Sequence, residues 1–468
     1  MTSKLVGGGL VMFLVACTHA RPEALADCRL RAIPMFVGTT HPRELASPGT
    51  TVVTPPSPLQ QFMTNALVQV SRDPTAARIP REVLVLSGGS QHGLFGTGFF
   101  LGRPSVPTYK IVTGVSTGSL QSTMFFLANQ PVAPDRIYPG DRGFDPDAIP
   151  IRRSNLEDFA ASSLISSEGS VLKVGSGGIL GGLASGSITS LEPLKQRIYG
   201  LISPQTLVQL GQERAHGRNL LVGVTDLDDG NGYAIDLTEL ASRAEPESTP
   251  AQIDAIRHCY VDALVASSSV PLAAYPVSLN IRIVPTGEAR TDLFVDGGAR
   301  YGVFLKQVED SVQAANMARS SMPAPPPPTN VTLIVNGKMY STPWTDKNGR
   351  VANWSALSLG FRSIDLLENQ VYRFSVDQVE TAALAGGTLK MAFISNEGLP
   401  SGAEDPDQHV YKGATCADWS AQDDRAGVKE FHPHYMACLL DYGKGRGERE
   451  LWNVSRTSGA TENTGSNP

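Results

Sequence analysis

One stretch, residues 83 to 128, constrains the fold of this chain more than any other. It predicts a strand over Val83 to Leu86, a glycine loop and short helix, and a second strand over Tyr109 to Thr113. That strand ends in Gly114-Val115-Ser116-Thr117-Gly118, a G-x-S-x-G sequence at a strand-to-helix corner. On such a tight turn a serine hydroxyl stands clear of the backbone, and the following helix directs N–H groups toward whatever the serine attacks. The pattern favours Ser116 as a nucleophile over a structural turn.

Strands and helices continue to alternate after this corner. The patterns predict strands at 219–224, 281–284, 331–335 and 389–394, and helices at 187–201, 253–266 and 305–315. Such alternation is typical of an α/β fold in which helices cover both faces of a mainly parallel sheet. The sequence therefore predicts a three-layer α/β/α architecture, and we expect its catalytic domain to span residues 81–400.

The overall composition restricts the class of protein. A hydrophobic content of 41% with 18% charged residues is that of a globular chain. The net charge of −6, without a visible basic patch, argues against a nucleic-acid partner. After the N-terminal region, no run of about 20 apolar residues suggests a membrane span. The totals leave a globular protein with a core of ordinary size.

The N-terminus resembles a targeting segment. Lys4 precedes an apolar run from Leu5 to Ala16, which is the pattern of a signal peptide and too short to span a membrane. Small residues directly before Cys17 resemble the lipobox of bacterial lipoproteins, in which that cysteine is lipidated. We therefore predict a lipoprotein signal peptide at 1–17 and a protein exported to the bacterial cell envelope and lipid-anchored to a membrane. The alternative is an ordinary cleaved signal with an incidental cysteine.

Two further segments flank the predicted domain. Residues 18–80 are rich in proline and threonine, which predicts an extended tether, and residues 401–468 predict a C-terminal extension with a disordered tail after Asn453. Four cysteines besides Cys17 permit two disulfides in an exported chain. Proximity suggests a Cys416–Cys438 pair, and free thiols remain an alternative.

The glycine loop after the first strand predicts an oxyanion hole. It reads Ser87-Gly88-Gly89-Ser90-Gln91-His92-Gly93 and opens a helix. Glycines let consecutive backbone N–H groups turn inward and bind an anion. Neither a dinucleotide fingerprint nor a G-x-x-x-x-G-K-[ST] loop is matched here, and no H-E-x-x-H or paired-cysteine spacing suggests a metal. We therefore expect the loop to serve the serine, with no cofactor.

Asp296 is the candidate base. It follows the β-rich segment Leu293-Phe294-Val295 and precedes Gly297 and Gly298, so it lies at a predicted strand end with a permissive backbone beside it. Strand ends of a parallel sheet gather at one edge, where Ser116 and Asp296 could meet. A carboxylate partly removed from water there would be more basic than usual. An ordinary Asp-Gly turn is the alternative.

Taken together, these motifs resemble the patatin-like phospholipases over about residues 81–400. The similarity rests on the glycine loop, on Gly-Val-Ser-Thr-Gly, and on Val-Asp-Gly-Gly at 295–298. It implies that Ser116 and Asp296 form a Ser–Asp dyad, and that Gly88, Gly89 and Ser90 line the oxyanion hole. The motif-supporting glycines would be Gly93, Gly114, Gly118, Gly297 and Gly298. The sequence departs from the family at Ser90, where a third glycine is usual, and at His92, where arginine or lysine is common.

The predicted function is hydrolysis of acyl esters of phospholipids or related lipids. One alternative is a non-catalytic lipid-binding lipoprotein that retains the fold. Another is a Ser-Asp-His esterase, because His409, His432 and His434 follow the serine and the aspartate in the chain order of α/β-hydrolases. The oligomeric state does not follow from the sequence.

Overall fold

The structure is a computed structural model of the chain. It describes residues 21–24, 27–36, 55–69, 81–174, 189–271, 273–322, 329–340, 362, 366, 369–370, 373, 387–396, 399–428 and 430–457. Cys17, the predicted signal peptide and residues 458–468 of the predicted tail lie outside the described residues.

A ten-stranded sheet runs through the described part of the chain. Its strands are β1 Leu30–Pro34, β2 Glu82–Leu86, β3 Ile111–Val115, β6 Asn219–Asp226, β7 Gly232–Asp236, β8 Val277–Ile283, β9 Ala289–Asp296, β10 Asn330–Lys338, β11 Thr388–Ile394 and β14 Val454–Thr457. They lie side by side in the order β14-β11-β10-β2-β3-β6-β7-β1-β8-β9. Two small ribbons pair β4 Lys173–Val174 with β5 Thr189–Ser190, and β12 Val410–Tyr411 with β13 Ala414–Thr415.

Helices cover both faces of this sheet. They are α1 Pro58–Val68, α2 Gly93–Gly102, α3 Thr117–Phe126, α4 Asn155–Ser163, α5 Glu192–Leu201, α6 Pro204–Glu213, α7 Leu237–Ala241, α8 Pro250–Ser267, α9 Leu305–Ser320, α10 Cys416–Arg425 and α11 Pro433–Glu448. Short 3₁₀ turns lie at Ser90–His92, Glu168–Ser170, Gly297–Ala299 and Pro406–Gln408.

Strand β2 shows why the sheet has a core on each side. Successive side chains of a strand point to opposite faces. Leu84 and Leu86 therefore join the core under α2, α3, α8 and α11, while Val83 and Val85 join the core under α1 and α9. All four side chains are fully buried, which explains the continuous apolar run in the sequence. The predicted three-layer α/β/α fold is confirmed.

The strands around the G-x-S-x-G corner are parallel. Strands β11, β10, β2, β3 and β6 pair in parallel register, so the chain leaves their carboxyl ends at one edge of the sheet. Strands β7, β9 and β14 run antiparallel to their neighbours. The five strands β6, β7, β1, β8 and β9 form a closed ring, because β9 also pairs with β6. This closure decides where the carboxyl end of β9 lies.

The predicted tether is wrong for two parts of residues 18–80. Residues Leu30–Pro34 form β1, an internal strand between β7 and β8, and α1 packs against α9. Ser57 caps α1 by accepting a hydrogen bond from the Gln60 N–H, with Pro58 at the first helical position. The proline-rich composition hid a capping signal and a short apolar strand.

The C-terminal segment is also part of the fold. Helix α11 packs along α2, and β14 extends the sheet at β11, so the prediction of disorder after Asn453 is wrong for Val454–Thr457. The expected Cys416–Cys438 disulfide is present, and a second joins Cys28 to Cys259. The Cys28–Cys259 bond ties the N-terminal segment to α8, and the Cys416–Cys438 bond joins α10 to α11 within the C-terminal segment. Among the described residues, no helix has the length and apolar character needed to cross a membrane.

Candidate active site

Ser116 lies at a strained corner between β3 and α3. Its backbone angles are φ 53° and ψ −126°, a combination that L-residues rarely adopt. Two glycines make the turn possible by close approach: a Cβ on Gly114 would lie 2.4 Å from the Gly118 carbonyl oxygen, and one on Gly118 would lie 2.5 Å from the Leu86 carbonyl oxygen. The side chain is 9% exposed at the start of α3. This is the geometry that the G-x-S-x-G sequence predicts.

Strand β9 brings Asp296 to the same place by an unexpected route. Strand β7 occupies one edge of β6, and β3 and β9 share the other edge. Strand β3 pairs with β6 up to Gly223, and the next residue, Val224, pairs with Asp296. Because β9 runs antiparallel to β6, the carboxyl ends of β3 and β9 meet head to head. Ser116 and Asp296 therefore come together at the junction of two strands, and not at a shared edge of parallel strands.

A glycine permits this junction. A Cβ on Gly297 would lie 2.8 Å from the Gly223 carbonyl oxygen and 2.9 Å from Cγ1 of Val115. The next residue, Gly298, donates its N–H to Oδ1 of Asp296 over 2.7 Å. The Gly-Gly pair thus lets the chain pass the end of β3 and orients the carboxylate.

The Asp296 carboxylate is buried with little compensation. It is 1% exposed, and its Oδ2 makes no hydrogen bond of standard geometry with any described residue. Burial raises the pKa of Asp296 to about 7, opposed by interactions with the Ser116 side chain and the Gly298 N–H. Catalytic hydrogen bonds are often long in the absence of substrate, so the loose Ser116 contact is compatible with proton transfer. A carboxylate with this pKa suits a general base near neutral pH.

Residues 267–269, at the end of α8, hold both strand ends, and the sequence analysis assigned them no role. Oγ of Ser267 accepts the Ser116 N–H over 3.1 Å and donates to the Gly223 carbonyl over 2.7 Å. The Asp296 N–H donates to the carbonyl of Ser269 over 2.9 Å. The run of small polar residues after an apolar helix was the available signal, because such residues can reach backbone groups of neighbouring strands.

The oxyanion loop, residues 87–93, lies beside the N-terminus of α3. Oγ1 of Thr117 donates to the Ser90 carbonyl over 3.0 Å, and a Cβ on Gly93 would lie 2.1 Å from Cγ2 of Thr117. The N–H groups of Gly88, Gly89 and Ser90 donate no hydrogen bond to any described residue. Gly89 and Ser90 have positive φ angles of 147° and 49°. Free donors next to a nucleophile are what an oxyanion hole requires.

His92 contributes no charge to this loop. Its Nδ1 contacts the Gly89 carbonyl at 3.0 Å, so the ring folds back onto the loop as a donor. Burial, followed by the nearby charge of Lys338, lowers the pKa of His92 to about 3. The imidazole is therefore neutral at physiological pH.

The histidines near the C-terminus, His409, His432 and His434, do not form a catalytic triad with Ser116 and Asp296. His409 contacts Glu404 and, at 2.9 Å, Asp441. His434 contacts Asp423 at 2.6 Å, and His432 lies 3.6 Å from Asp424. Among the described residues, no histidine hydrogen-bonds Ser116 or Asp296. The alternative Ser-Asp-His arrangement is therefore not assembled.

One acidic cluster lies beyond the carboxyl end of β6. Carboxylate oxygens of Asp226, Asp228 and Asp292 lie within 4.8 Å of one another. Arg290 contacts two of them, at 3.5 Å from Asp226 and 3.1 Å from Asp292, and Arg21 pairs with Asp228. Two guanidinium groups thus supply the positive charge that this cluster needs.

Comparison with known proteins agrees with the geometry. The patatin-like phospholipase family model matches residues 84–308. The crystal structure of VipD from Legionella pneumophila is similar, with 10% sequence identity and a TM-score of 0.25 over 84% of this chain and 71% of that chain, a likeness too low to support any argument. No curated protein gives a significant match. Residues 84–308, which include Ser116 and Asp296, therefore belong to the patatin-like phospholipase family, whose members are generally lipid acyl hydrolases.

Proposed function

We propose that this protein hydrolyses acyl esters of lipids through a Ser116–Asp296 dyad. In this mechanism Oγ of Ser116 attacks the ester carbonyl and transfers its proton to Asp296. The N–H groups of residues 88–90 stabilise the negative charge that develops on the carbonyl oxygen. The tetrahedral intermediate then collapses, and the alcohol part of the lipid leaves with the proton from Asp296. Water activated by Asp296 finally cleaves the acyl-enzyme and releases a fatty acid.

The head-to-head meeting of β3 and β9 is the observation that carries this proposal. It brings a strained, nearly buried serine and a desolvated carboxylate to the same edge of β6, next to Gly223 and Val224. Folding keeps both features at a cost, because a serine at φ 53° is strained and a buried carboxylate lacks an ion-pair partner among the described residues. Costly features of this kind cluster at functional sites.

Activity-based labelling together with lipid hydrolysis tests the assignment. A fluorophosphonate probe should label the wild type, and Ser116→Ala should abolish both labelling and fatty-acid release from phospholipid vesicles. Asp296→Asn should lower the release rate by a factor of about 10³ or more, because the serine then has no base.

Two matched variants serve as controls. Ser122→Ala removes a fully buried hydroxyl of α3, and Asp236→Asn changes a fully buried carboxylate at the carboxyl end of β7. Both controls should retain most of the activity of the wild type. Labelling that persists in Ser116→Ala, or hydrolysis that survives Asp296→Asn, would overturn the dyad.

We also propose that the protein is exported and attached to a membrane by lipid on Cys17. Two disulfides among the described residues support an oxidising compartment. Cells fed an alkynyl fatty acid should incorporate it into the wild type but not into Cys17→Ser, and the variant should leave the membrane fraction. Equal incorporation in both proteins would contradict this proposal.

A further inference from the structure

The oxyanion loop is anchored by a buried polar network that takes no part in the proposed chemistry. We infer that Ser87, Asn336 and Gln121 are positioning residues, which aim the N–H groups of Gly88 and Gly89 at the site where Ser116 reacts. All three side chains are fully buried, at 0% exposure. This inference rests on the proposed function and adds the groups that set the direction of its oxyanion donors.

Asn336, on β10, holds the first residue of the loop twice. Its Nδ2 donates to the Ser87 carbonyl over 2.8 Å, and its backbone N–H donates to Oγ of Ser87, also over 2.8 Å. That hydroxyl in turn donates to the Gly88 carbonyl over 2.6 Å. Two successive carbonyl groups of the loop are thus drawn toward β10 and the Ser87 side chain.

This arrangement determines where the following N–H groups point. In a trans peptide the C=O and the N–H point in opposite directions. The Ser87 and Gly88 carbonyls share their peptide planes with the N–H groups of Gly88 and Gly89, so the hydrogen bonds that hold the two carbonyls also fix the direction of these two N–H groups. The sheet order is β10-β2-β3, and Ser116 follows the end of β3. The loop that carries the two donors therefore lies next to the end of β3, where Thr117 donates to the Ser90 carbonyl.

Gln121 anchors the other end of the loop. It lies on α3, five residues after Ser116, and its Nε2 donates to the Gly93 carbonyl over 2.7 Å and to Oγ1 of Thr97 over 3.1 Å. Its Oε1 accepts the second proton of Asn336 Nδ2 over 2.8 Å. The helix that begins at the nucleophile is thereby joined to both ends of the oxyanion loop.

Glycines make room for this network. A Cβ on Gly96 would lie 2.4 Å from Oδ1 of Asn336, and a Cβ on Gly89 would lie 2.5 Å from the Asn336 carbonyl carbon. Any larger residue at either position would displace Asn336 from the loop. Gly89 therefore makes room for the backbone of Asn336, and Gly96 makes room for its side chain.

Kinetics with an oxyanion analogue separates positioning from simple stabilisation. Ser87→Ala removes one oxygen atom, which frees the Gly88 carbonyl, and Asn336→Asp replaces the NH₂ group that donates to Ser87. Each variant should lower kcat on a soluble acyl ester by about tenfold or more, and should lower the affinity for a trifluoromethyl ketone lipid analogue by a similar factor. KM and the affinity for a non-hydrolysable ether lipid should change less than about threefold, because neither the bound ester substrate nor the ether lipid places a negative charge in the oxyanion hole.

Ser122→Ala is the control, because its fully buried hydroxyl donates to the Ser119 carbonyl over 2.6 Å and does not contact the loop. Thermal unfolding at the assay pH verifies that each variant is folded, and Asn336→Asp and Ser87→Ala test the inference independently. If both variants match Ser122→Ala in kcat and in ketone affinity while the wild type is active, the positioning role is wrong and the dyad stands. A wild type that neither hydrolyses esters nor reacts with the fluorophosphonate would refute the proposed function and this inference together.

Discussion

Replacing Asp296 with asparagine should remove hydrolysis and, at neutral pH, make the folded protein more stable. The carboxylate is 1% exposed, and no described residue forms an ion pair with it. Burial raises its pKa from the ordinary value of 3.8 to about 7, so the ionised form is disfavoured in the folded state. Asparagine has a similar shape and carries no charge at any pH.

The pH dependence of this effect follows from proton linkage. Between pH 3.8 and about 7 the unfolded chain has lost the proton of Asp296 while the folded chain still binds it. The unfolded state then binds fewer protons, so the free energy of unfolding of the wild type falls as pH rises through this window. Each pH unit costs about 1.4 kcal/mol, which amounts to about 4 kcal/mol by pH 8. The variant does not lose this stability.

Thermal unfolding of wild type and Asp296→Asn at pH 4, 6 and 8 measures the difference. The two proteins should unfold at similar temperatures at pH 4, and the unfolding temperature of the variant should exceed that of the wild type by more at each higher pH. Asp158→Asn provides the contrast, because that buried carboxylate pairs with Arg136 over 2.7 Å and its loss leaves a buried guanidinium without its partner. Asp158→Asn should therefore lose stability. An Asp296→Asn protein that is less stable than the wild type at pH 8 would refute the desolvation argument.

Three other perturbations test separate parts of the structure. For the wild type, kcat/KM on a soluble ester should fall about tenfold per pH unit below the Asp296 pKa of about 7, because only the ionised carboxylate can accept the proton. A value of kcat/KM that stays level down to pH 5 would exclude this carboxylate as the base. Gly98→Ala should lower the unfolding temperature, because its Cβ would lie 2.0 Å from a carbonyl oxygen of α11. The control Gly445→Ala has open space around its Cβ and should leave the unfolding temperature unchanged or raise it. Equal effects of the two variants would contradict the close contact between the helices. Replacing both cysteines of the Cys28–Cys259 disulfide should cost about 2 kcal/mol more than removing the other disulfide, because it closes a separation of 231 residues rather than 22, and calorimetry that ranks them in reverse would contradict this.

Much of the catalytic region could be predicted from local patterns. The apolar run at 83–86 is buried on both faces, and Gly114 is required by its close contact with Gly118, four residues further along the chain. The reason for Gly114 is therefore local, whereas Gly118 makes room for the carbonyl groups of Leu86 and Ser87 at the end of the preceding strand. Local sterics and hydrophobic periodicity decide such features, and both are written in consecutive residues.

Composition gave a wrong prediction for the short strands β1 and β14, which depend on remote partners. Strand β1 has five residues within a proline-rich stretch, and it is stabilised by pairing with the remote strands β7 and β8. Strand β14 likewise exists because β11 offers it an edge. Neither segment has enough periodicity of its own to announce a strand, so only the assembled sheet determines them.

The sequence by itself determined that a serine would stand on a strained corner, that a glycine loop would precede it, and that an aspartate would end a strand. Only the tertiary structure decided that these groups meet, because β9 enters the sheet antiparallel to β6 and ends against β3. The tertiary structure also placed Gln121 and Asn336, which are 215 residues apart, on the two ends of one loop. The physical reason is the same in both cases: a turn is set by sterics among neighbouring residues, whereas the direction of a strand and the partner of a buried amide are set by how the whole core packs.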